Sequence, residues 1–399
     1  MKNTLILYAF CLVFCFGFQS NIAQKTKQKK TKYDVAAFYW PAYHPDSRFK
    51  DIGVFPDGKG EWEAIYKAKP KFVGHEVPKV PLWGYEDESD PVVMAKKIKK
   101  AVKHGVNVMI FDWYWYDNKP FLEETLNKGF LKAKNSTDMR FYLMWANHDH
   151  GSYLDPANPD KSKIYWRGGV SREIFEGMID HIINDYFKKP NYYKINGEPV
   201  ISIYELSTFM KGIGGAEKAK EALDYFTKKT IEAGFPGLHL QAILWGNIPK
   251  GLKDVPGDKV QTQSATVEYF GFKSMTNYQW CHIVKPTGEY TLWGEKAIKK
   301  WDEWDTTFKI PYCPQVSIGW DCNPRYPVEN KSLVVNTKPE YFKTFLQKAK
   351  EYVDKHPNQP RLITINAWNE WAEGSYLEPD EKHGYDNLKA VKSVFIDGK

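Results

Sequence analysis

The chain has 399 residues, of which 56 are basic and 49 acidic, giving a formal charge of +7. Removing Lys2, Lys25, Lys27, Lys29, Lys30 and Lys32 leaves 50 basic residues against the same 49 acids, so the excess charge sits in the first 32 residues. The rest is nearly neutral and gives no case for nucleic-acid binding, and no later stretch is apolar and long enough to span a membrane.

Residues 1–23 read as a signal peptide: Lys2 supplies the positive start and Leu5 to Phe18 is an uncharged apolar run. Cys11 and Cys15 follow the bulky Phe10 and Phe14, not the small residue that a lipid-anchored cysteine requires. The expected product is therefore a soluble secreted or periplasmic protein rather than a lipid-anchored one. Residues 24–32 read as a basic, solvated spacer. Residues 33–399 form one expected catalytic domain, long for a single unit but ordinary for an α/β barrel with extended loops. Cys281, Cys313 and Cys322 are too few for a disulfide framework, leaving either one Cys313–Cys322 bridge or three free thiols.

Eight short β-rich runs follow in chain order: Val35–Tyr39, Val106–Phe111, Phe141–Trp145, Val200–Tyr204, His239–Leu244, Val260–Ala265, Tyr312–Ile318 and Leu362–Ile365. Helical spacing appears at Pro91–His104, Ser171–Phe187, Ala216–Ala233, Gly294–Phe308, Pro339–His356 and Gly384–Phe395. The connection from Trp245 to Asp258 is rich in Gly and Pro and is the weakest link. Eight β-then-α units predict a closed (β/α)8 TIM barrel with extended loops at the carboxyl ends of the strands, with an open sheet as the alternative. No phosphate-cradling glycine motif follows any strand, so no nucleotide cofactor is expected.

A barrel of this kind carries its site at the carboxyl ends of its strands. Directly after the eighth run stand Asn366-Ala367-Trp368-Asn369-Glu370-Trp371-Ala372-Glu373-Gly374. Glycoside hydrolysis generally needs two carboxyl groups, one as acid and one as base or nucleophile. Tryptophans beside a carboxyl lower the local polarity and raise its pKa, which suits a general acid. Glu370 and Glu373 are thus the expected catalytic pair; the plainer reading, acids decorating a helix start, does not explain the tryptophans and asparagines around them. Aromatic residues make up 16% of the chain and cluster at strand ends, as expected where sugar C–H faces stack on rings. The residues expected to bind substrate are Tyr39, Tyr43 and His44 after the first strand, Asp112, Trp113 and Trp115 at the second, Asn147, His148 and Asp149 after the third, Trp245 after the fifth, Tyr269 after the sixth, and Asn369 and Trp371 beside the catalytic pair.

Asn366 to Asp380 resembles the signature of glycoside hydrolase family 99 and its WbsX-like relatives. Ala37-Phe38-Tyr39-Trp40-Pro41-Ala42-Tyr43-His44-Pro45, Phe111-Asp112-Trp113-Tyr114-Trp115 and Met144-Trp145-Ala146-Asn147-His148-Asp149 resemble further segments, so the likeness spans about residues 34–390. The resemblance implies a (β/α)8 barrel, cleavage of α-mannosidic bonds inside glycans, and no metal. It also implies retention through a 1,2-anhydro sugar, with Glu370 as base towards the 2-hydroxyl and Glu373 as acid and then base. The compact runs here look closer to the WbsX-like relatives, some of which carry a glycosyltransferase name in surface polysaccharide assembly. The resemblance therefore transfers the two glutamates but not the sugar specificity. Three competitors stand beside the hydrolase: a glycosyltransferase, a metal-dependent barrel built on His148, Asp149 and His150, and a carbohydrate-binding barrel without activity. The expected partner is a polysaccharide or glycan.

Overall fold

The computed structural model describes residues 32–151, 162–245, 248–252, 254–255 and 260–398. The expected signal peptide, and all of the expected basic spacer except Lys32, lie outside the described residues. Eight parallel strands build the core: β1 (Asp34–Tyr39), β2 (Val108–Tyr116), β3 (Arg140–Trp145), β4 (Glu198–Ile203), β5 (His239–Ile243), β6 (Ser274–Thr276), β7 (Gln315–Ser317) and β8 (Leu362–Asn366). Their spatial order is β6-β5-β4-β3-β2-β1-β8-β7. Between β6 and β7 the ring is joined by a single bridge, where Met275 N donates to Pro311 O at 2.9 Å and Cys313 N donates to Met275 O at 2.8 Å. The fold is a nearly closed (β/α)8 barrel, as expected from the eight alternating units.

The strands are apolar because they are covered on both sides. Every residue of β2 is buried, and β1, β3 and β4 are buried beyond their first residue. The helices start where the sequence offers caps. Asp90 accepts from Val92 N ahead of the helix Pro91–Lys103, and Ser171 accepts from Ile174 N ahead of Arg172–His181. After β2 the outer layer holds a wide π-helical turn, Thr125–Phe130, and a short turn, Ser136–Asp138.

The sixth expected strand is corrected. Thr262 accepts from Ala265 N and opens a helix, Gln263–Tyr269, where an extended run over Val260–Ala265 was expected. The true β6, Ser-Met-Thr, is three residues long and polar at both ends, where it meets other polar groups inside the barrel. Thr276 Oγ1 pairs with Thr364 Oγ1 of β8 at 2.8 Å, and Ser274 Oγ pairs with His239 Nε2 of β5 at 2.8 Å. Cys281, Cys313 and Cys322 are free thiols. Among the described residues, no helix is long and apolar enough to cross a membrane.

Candidate active site

A cavity of about 280 Å³ opens at the carboxyl ends of the strands. It is lined by Trp40 from the β1 loop, Asp112 and Tyr114 from β2, Met144, Ala146 and His148 from β3 and its loop, Tyr204 after β4, and Trp245 after β5. Tyr278 and His282 follow β6, Arg325 follows β7, and Glu370 and Glu373 follow β8.

The β8 hairpin positions the two glutamates. Asn369–Glu370 pairs antiparallel with Ser375–Tyr376 around the single helical turn Trp371–Glu373. That turn ends on Gly374 at φ +62°, a left-handed conformation that favours glycine. Asn369 ties the hairpin to β1: its Oδ1 accepts from Trp40 N at 2.8 Å and its Nδ2 donates to Trp40 O at 2.7 Å. Trp371 stacks on Tyr376 with ring centroids 3.8 Å apart, and its backbone N donates to Tyr43 Oη at 3.2 Å. Both glutamates are thus carried on a braced turn rather than a loose loop.

Arg325 joins the carboxyls. Its Nη1 donates to Glu373 Oε1 at 2.6 Å and its Nη2 to Glu370 Oε2 at 3.3 Å. Its Nε and Nη2 also hold Glu61 at 2.6 and 3.2 Å, and the Trp40 indole N–H donates to the same carboxylate. Tyr278 Oη lies 2.6 Å from Glu370 Oε1 and 2.8 Å from Asp112 Oδ2. One phenolic proton serves two carboxyls here. Were both ionised, one contact would set a hydroxyl lone pair against an anion, so the pair Asp112 and Glu370 carries a proton between them.

Electrostatics agree. Burial pushes Asp112 well above the ordinary carboxylate range, opposed by its hydrogen bond to Tyr278. Burial and then the Glu373 charge raise Glu370 well above that range, while Arg325 opposes the rise. Glu373 is raised by burial and pulled back by the Arg325 guanidinium. The closer guanidinium contact therefore favours the charged form of Glu373 over that of Glu370. Burial lowers His148, and lowers His282 to about 4, so both rings are neutral at physiological pH and can bond hydroxyl groups. Asp112 Oδ1, Glu373 Oε2 and His282 Nδ1 are buried with no hydrogen-bond partner. These are free polar atoms on residues that line one cavity.

Of the residues expected at the site, the cavity brings together Glu370, Glu373, Asp112, His148 and Trp245. Others brace it from behind. Tyr43 and Asn369 hold the hairpin as above, and the Trp371 indole donates to Glu378 Oε2 at 2.9 Å. Asn147 exchanges hydrogen bonds with the backbone of Glu205, both at 2.7 Å, while Asp149 binds Arg167 and Gly168 N. The remaining five stand neither in the cavity lining nor among these braces. Strand alternation turns Trp113 and Trp115 away from Asp112 and Tyr114 and towards His181 of the outer layer. Tyr39 likewise faces outward, its hydroxyl meeting Met94 Sδ at 3.2 Å. His44 is buried and paired with Pro45 O at 2.7 Å. Tyr269 closes the outer helix Gln263–Tyr269 and follows no strand. Among the described residues, no three His, Cys, Asp or Glu side chains converge as metal ligands; His150 packs against the rings of Phe121 and Trp166.

The site also holds residues that the sequence reading did not single out. Tyr278 follows the strand that was misplaced, and correct placement of Ser274–Thr276 would have exposed it. Arg325 and Glu61 lie in long loops and carry no local pattern. Only the fold brings Arg325 within 2.6 Å of a residue 264 positions earlier in the chain.

The profile described as "Glycosyltransferase WbsX" matches residues 35–391. The chain belongs to the WbsX family. The uncharacterized protein WxcX of Xanthomonas campestris pv. campestris, in two strains, is 26% identical over 368 residues, covering 90% of this chain and 49% of WxcX. The chain thus spans about half the length of the curated relatives it matches. Among solved structures, the family 99 endo-α-mannosidase from Bacteroides thetaiotaomicron superposes with a TM-score of 0.56 at 16% identity, covering 91% of this chain and 97% of that enzyme. A glycoside hydrolase-like protein superposes with a TM-score of 0.57 at 12% identity, over 92% and 95% of the two chains. These superpositions establish that the WbsX-family chain has a glycoside hydrolase-like barrel.

Proposed function

We propose that this chain is an exported glycoside hydrolase that cleaves glycosidic bonds in a polysaccharide or glycan, with residues 33–399 as its catalytic domain. The observation that carries the reading is the convergence of Glu370 and Glu373 on one cavity, linked through the Arg325 guanidinium and backed by Tyr278. A pair of raised, coupled carboxyls supplies both an acid and a base near neutral pH. The other cavity walls suit a sugar, with Trp40, Tyr204 and Trp245 offering ring faces and His148 and His282 offering neutral nitrogens.

The resemblance to family 99 assigns Glu370 as base towards the sugar 2-hydroxyl and Glu373 as acid and then base. In this route Glu370 takes the hydroxyl proton, and the freed oxygen attacks the anomeric carbon. The bond to the leaving oxygen breaks as Glu373 protonates it. Glu373 then takes a proton from the water whose oxygen attacks the anomeric carbon, the bond from that carbon to the 2-oxygen breaks, Glu370 returns its proton to the 2-oxygen, and the configuration is retained. In the structure the two glutamates are poised differently, because Arg325 holds Glu373 more closely than Glu370. Glu373 must loosen from Arg325 and gain a proton, and Glu370 must lose one, before the first step. Tyr278 and Asp112 stand next to Glu370 and offer the place for that proton to go.

The family's name favours a second reading, a transferase, in which an acceptor hydroxyl replaces water in the second half-reaction with the same two glutamates. The deciding experiment screens neutral and acidic glycans for cleavage and then compares the best substrate with its analogue lacking the 2-hydroxyl on the reacting sugar. The proposal expects released reducing ends from the first and loss of cleavage with retained binding for the second. Efficient cleavage of the 2-deoxy analogue, or a glycosyl adduct on Glu370 trapped with a 2-fluoro sugar, would remove the anhydro route. Product formed only when an acceptor sugar is added would favour the transferase.

A further inference from the structure

Beside the active-site cavity lies a second cleft of about 380 Å³, with Gly374 and Asp321 in its wall. The two are neighbours through the backbone: Asp321 N donates to Glu373 O at 2.7 Å, and Glu373 lines the first cavity while Gly374 lines the second. The wall is charged, and its charges are not balanced. Of its two carboxylates, Glu76 is paired with Lys382, and Asp321 Oδ2 is held by His75 Nε2 at 2.9 Å. Lys79 is left over. It lines the cleft. Among the described residues the Lys79 ammonium has no ion-pair or hydrogen-bond partner, and only the backbone O of the residue is used, accepting from Tyr85 Oη at 3.1 Å. Burial lowers its ammonium below the ordinary lysine range although Asp321, Glu76 and Asp380 oppose the shift, so an anion in direct contact would supply the close partner that none of these carboxylates provides. A second polar group is also unused, since the indole Nε1 of Trp320 is buried without a partner. Phe72, stacked on His75 at 4.4 Å, and Trp320 add aromatic surface to the same cleft.

We propose that this cleft is a subsite for an acidic sugar unit of the substrate, with its carboxylate or sulfate group on Lys79 and its ring against the aromatic wall. This rests on the hydrolase reading above and narrows it to glycans that carry anionic units. An anion-bearing ring fits the pairing of a free ammonium with an indole donor and aromatic faces. Its wall at Gly374, one residue along the backbone from Glu373, sets the subsite beside the catalytic pair.

The test uses the full chain carrying Glu370→Gln, so that no turnover confuses the measurement, and ligand-observed NMR with D-glucuronate, D-glucose 6-sulfate, D-glucose and inorganic sulfate. The proposal expects binding of the two acidic sugars, and their relative affinities identify which group the site prefers. It expects D-glucose and inorganic sulfate to bind about tenfold more weakly or not at all, as loss of a charge-assisted hydrogen bond or of the ring contact predicts. Lys79→Met should weaken the acidic sugars by about tenfold or more, while Lys79→Arg should retain them. Equal binding of D-glucose, equal binding of inorganic sulfate, no binding of either acidic sugar, or no effect of Lys79→Met in a protein that melts like its parent would overturn the proposal. Failure of the hydrolase reading is seen separately, because it would leave this binding intact while wild-type protein cleaves no glycan.

Discussion

Two buried carboxyl clusters touch the β8 hairpin, and they are made of the same parts. One holds Glu370, Glu373 and Glu61 around Arg325, with Asp112 joined to it through Tyr278; the other holds Glu88 and Glu378 around Lys97. Tryptophan indoles donate into both, from Trp40 in the first and from Trp368 and Trp371 in the second. The second cluster is sealed. Glu88, Lys97 and Glu378 are 0%, 1% and 4% exposed, and every carboxyl oxygen has a partner. Burial raises Glu88 to about 8, so at neutral pH the cluster keeps a proton beside its one ammonium. The first cluster opens on a cavity, leaves Asp112 Oδ1 and Glu373 Oε2 without partners, and shares one phenolic proton between two acids. Burying several carboxyls around one cation therefore does not by itself make a reactive site. What separates the two is the unspent hydrogen-bonding capacity that faces an accessible cavity.

The largest expected effect breaks the sealed cluster. Lys97→Met keeps the side-chain volume but leaves two carboxyls without their cation. The expected loss is about 3–5 kcal/mol of folding stability, read in a urea melt, because an uncompensated buried charge is costly. Turnover of the molecules that remain folded should change far less. A melt close to wild type would mean that Lys97 is dispensable and that the cluster is not the structural brace described here.

A smaller effect sharpens the open cluster. Tyr278→Phe removes the proton donor shared by Glu370 and Asp112. Losing a hydrogen bond to a charged group costs about 1.5–3 kcal/mol, so turnover should fall about 10- to 150-fold with little change in melting temperature. That hydrogen bond holds Asp112 down, so its loss should move the Asp112 titration, and any limb of the pH–rate profile that reports it, to higher pH. A shift to lower pH would contradict the geometry. The smallest effect belongs to Tyr269→Ala. That residue lies on the outer layer, so kcat/KM should stay within about twofold of wild type, as for a substitution away from the site.

How far the sequence could be read follows from where each signal lies. The eight-unit barrel is legible because buried parallel strands repeat apolar runs and the helices between them carry caps and periodicity. β6 is not, because two of its three residues are polar and find partners across the barrel in His239 and Thr364, while the more apolar stretch before it caps a helix at Thr262. Glu370 and Glu373 stand together after one strand, and one segment shows both. Within Asp112-Trp113-Tyr114-Trp115 the alternation of a strand decides which side chains enter the cavity, and pattern alone favoured the larger tryptophans over Tyr114. Arg325, Glu61 and Tyr278 come from three different loops, so their convergence is a property of the closed barrel and has no local trace.

The central claim is that the open cluster performs proton transfer and the sealed one holds the hairpin in place. The most direct test compares Glu370→Gln, Glu373→Gln and Glu88→Gln on one cleaved glycan, with a thermal melt of each. The two active-site variants should lose about 10²- to 10⁴-fold in turnover and melt near wild type, since each removes an acid or base with an isosteric amide. Glu88→Gln should retain turnover within about tenfold, because its partners touch no reacting atom and any change acts through the placement of Asn369. Near-wild-type turnover of Glu370→Gln or Glu373→Gln, or a larger loss from Glu88→Gln than from either, would contradict the account.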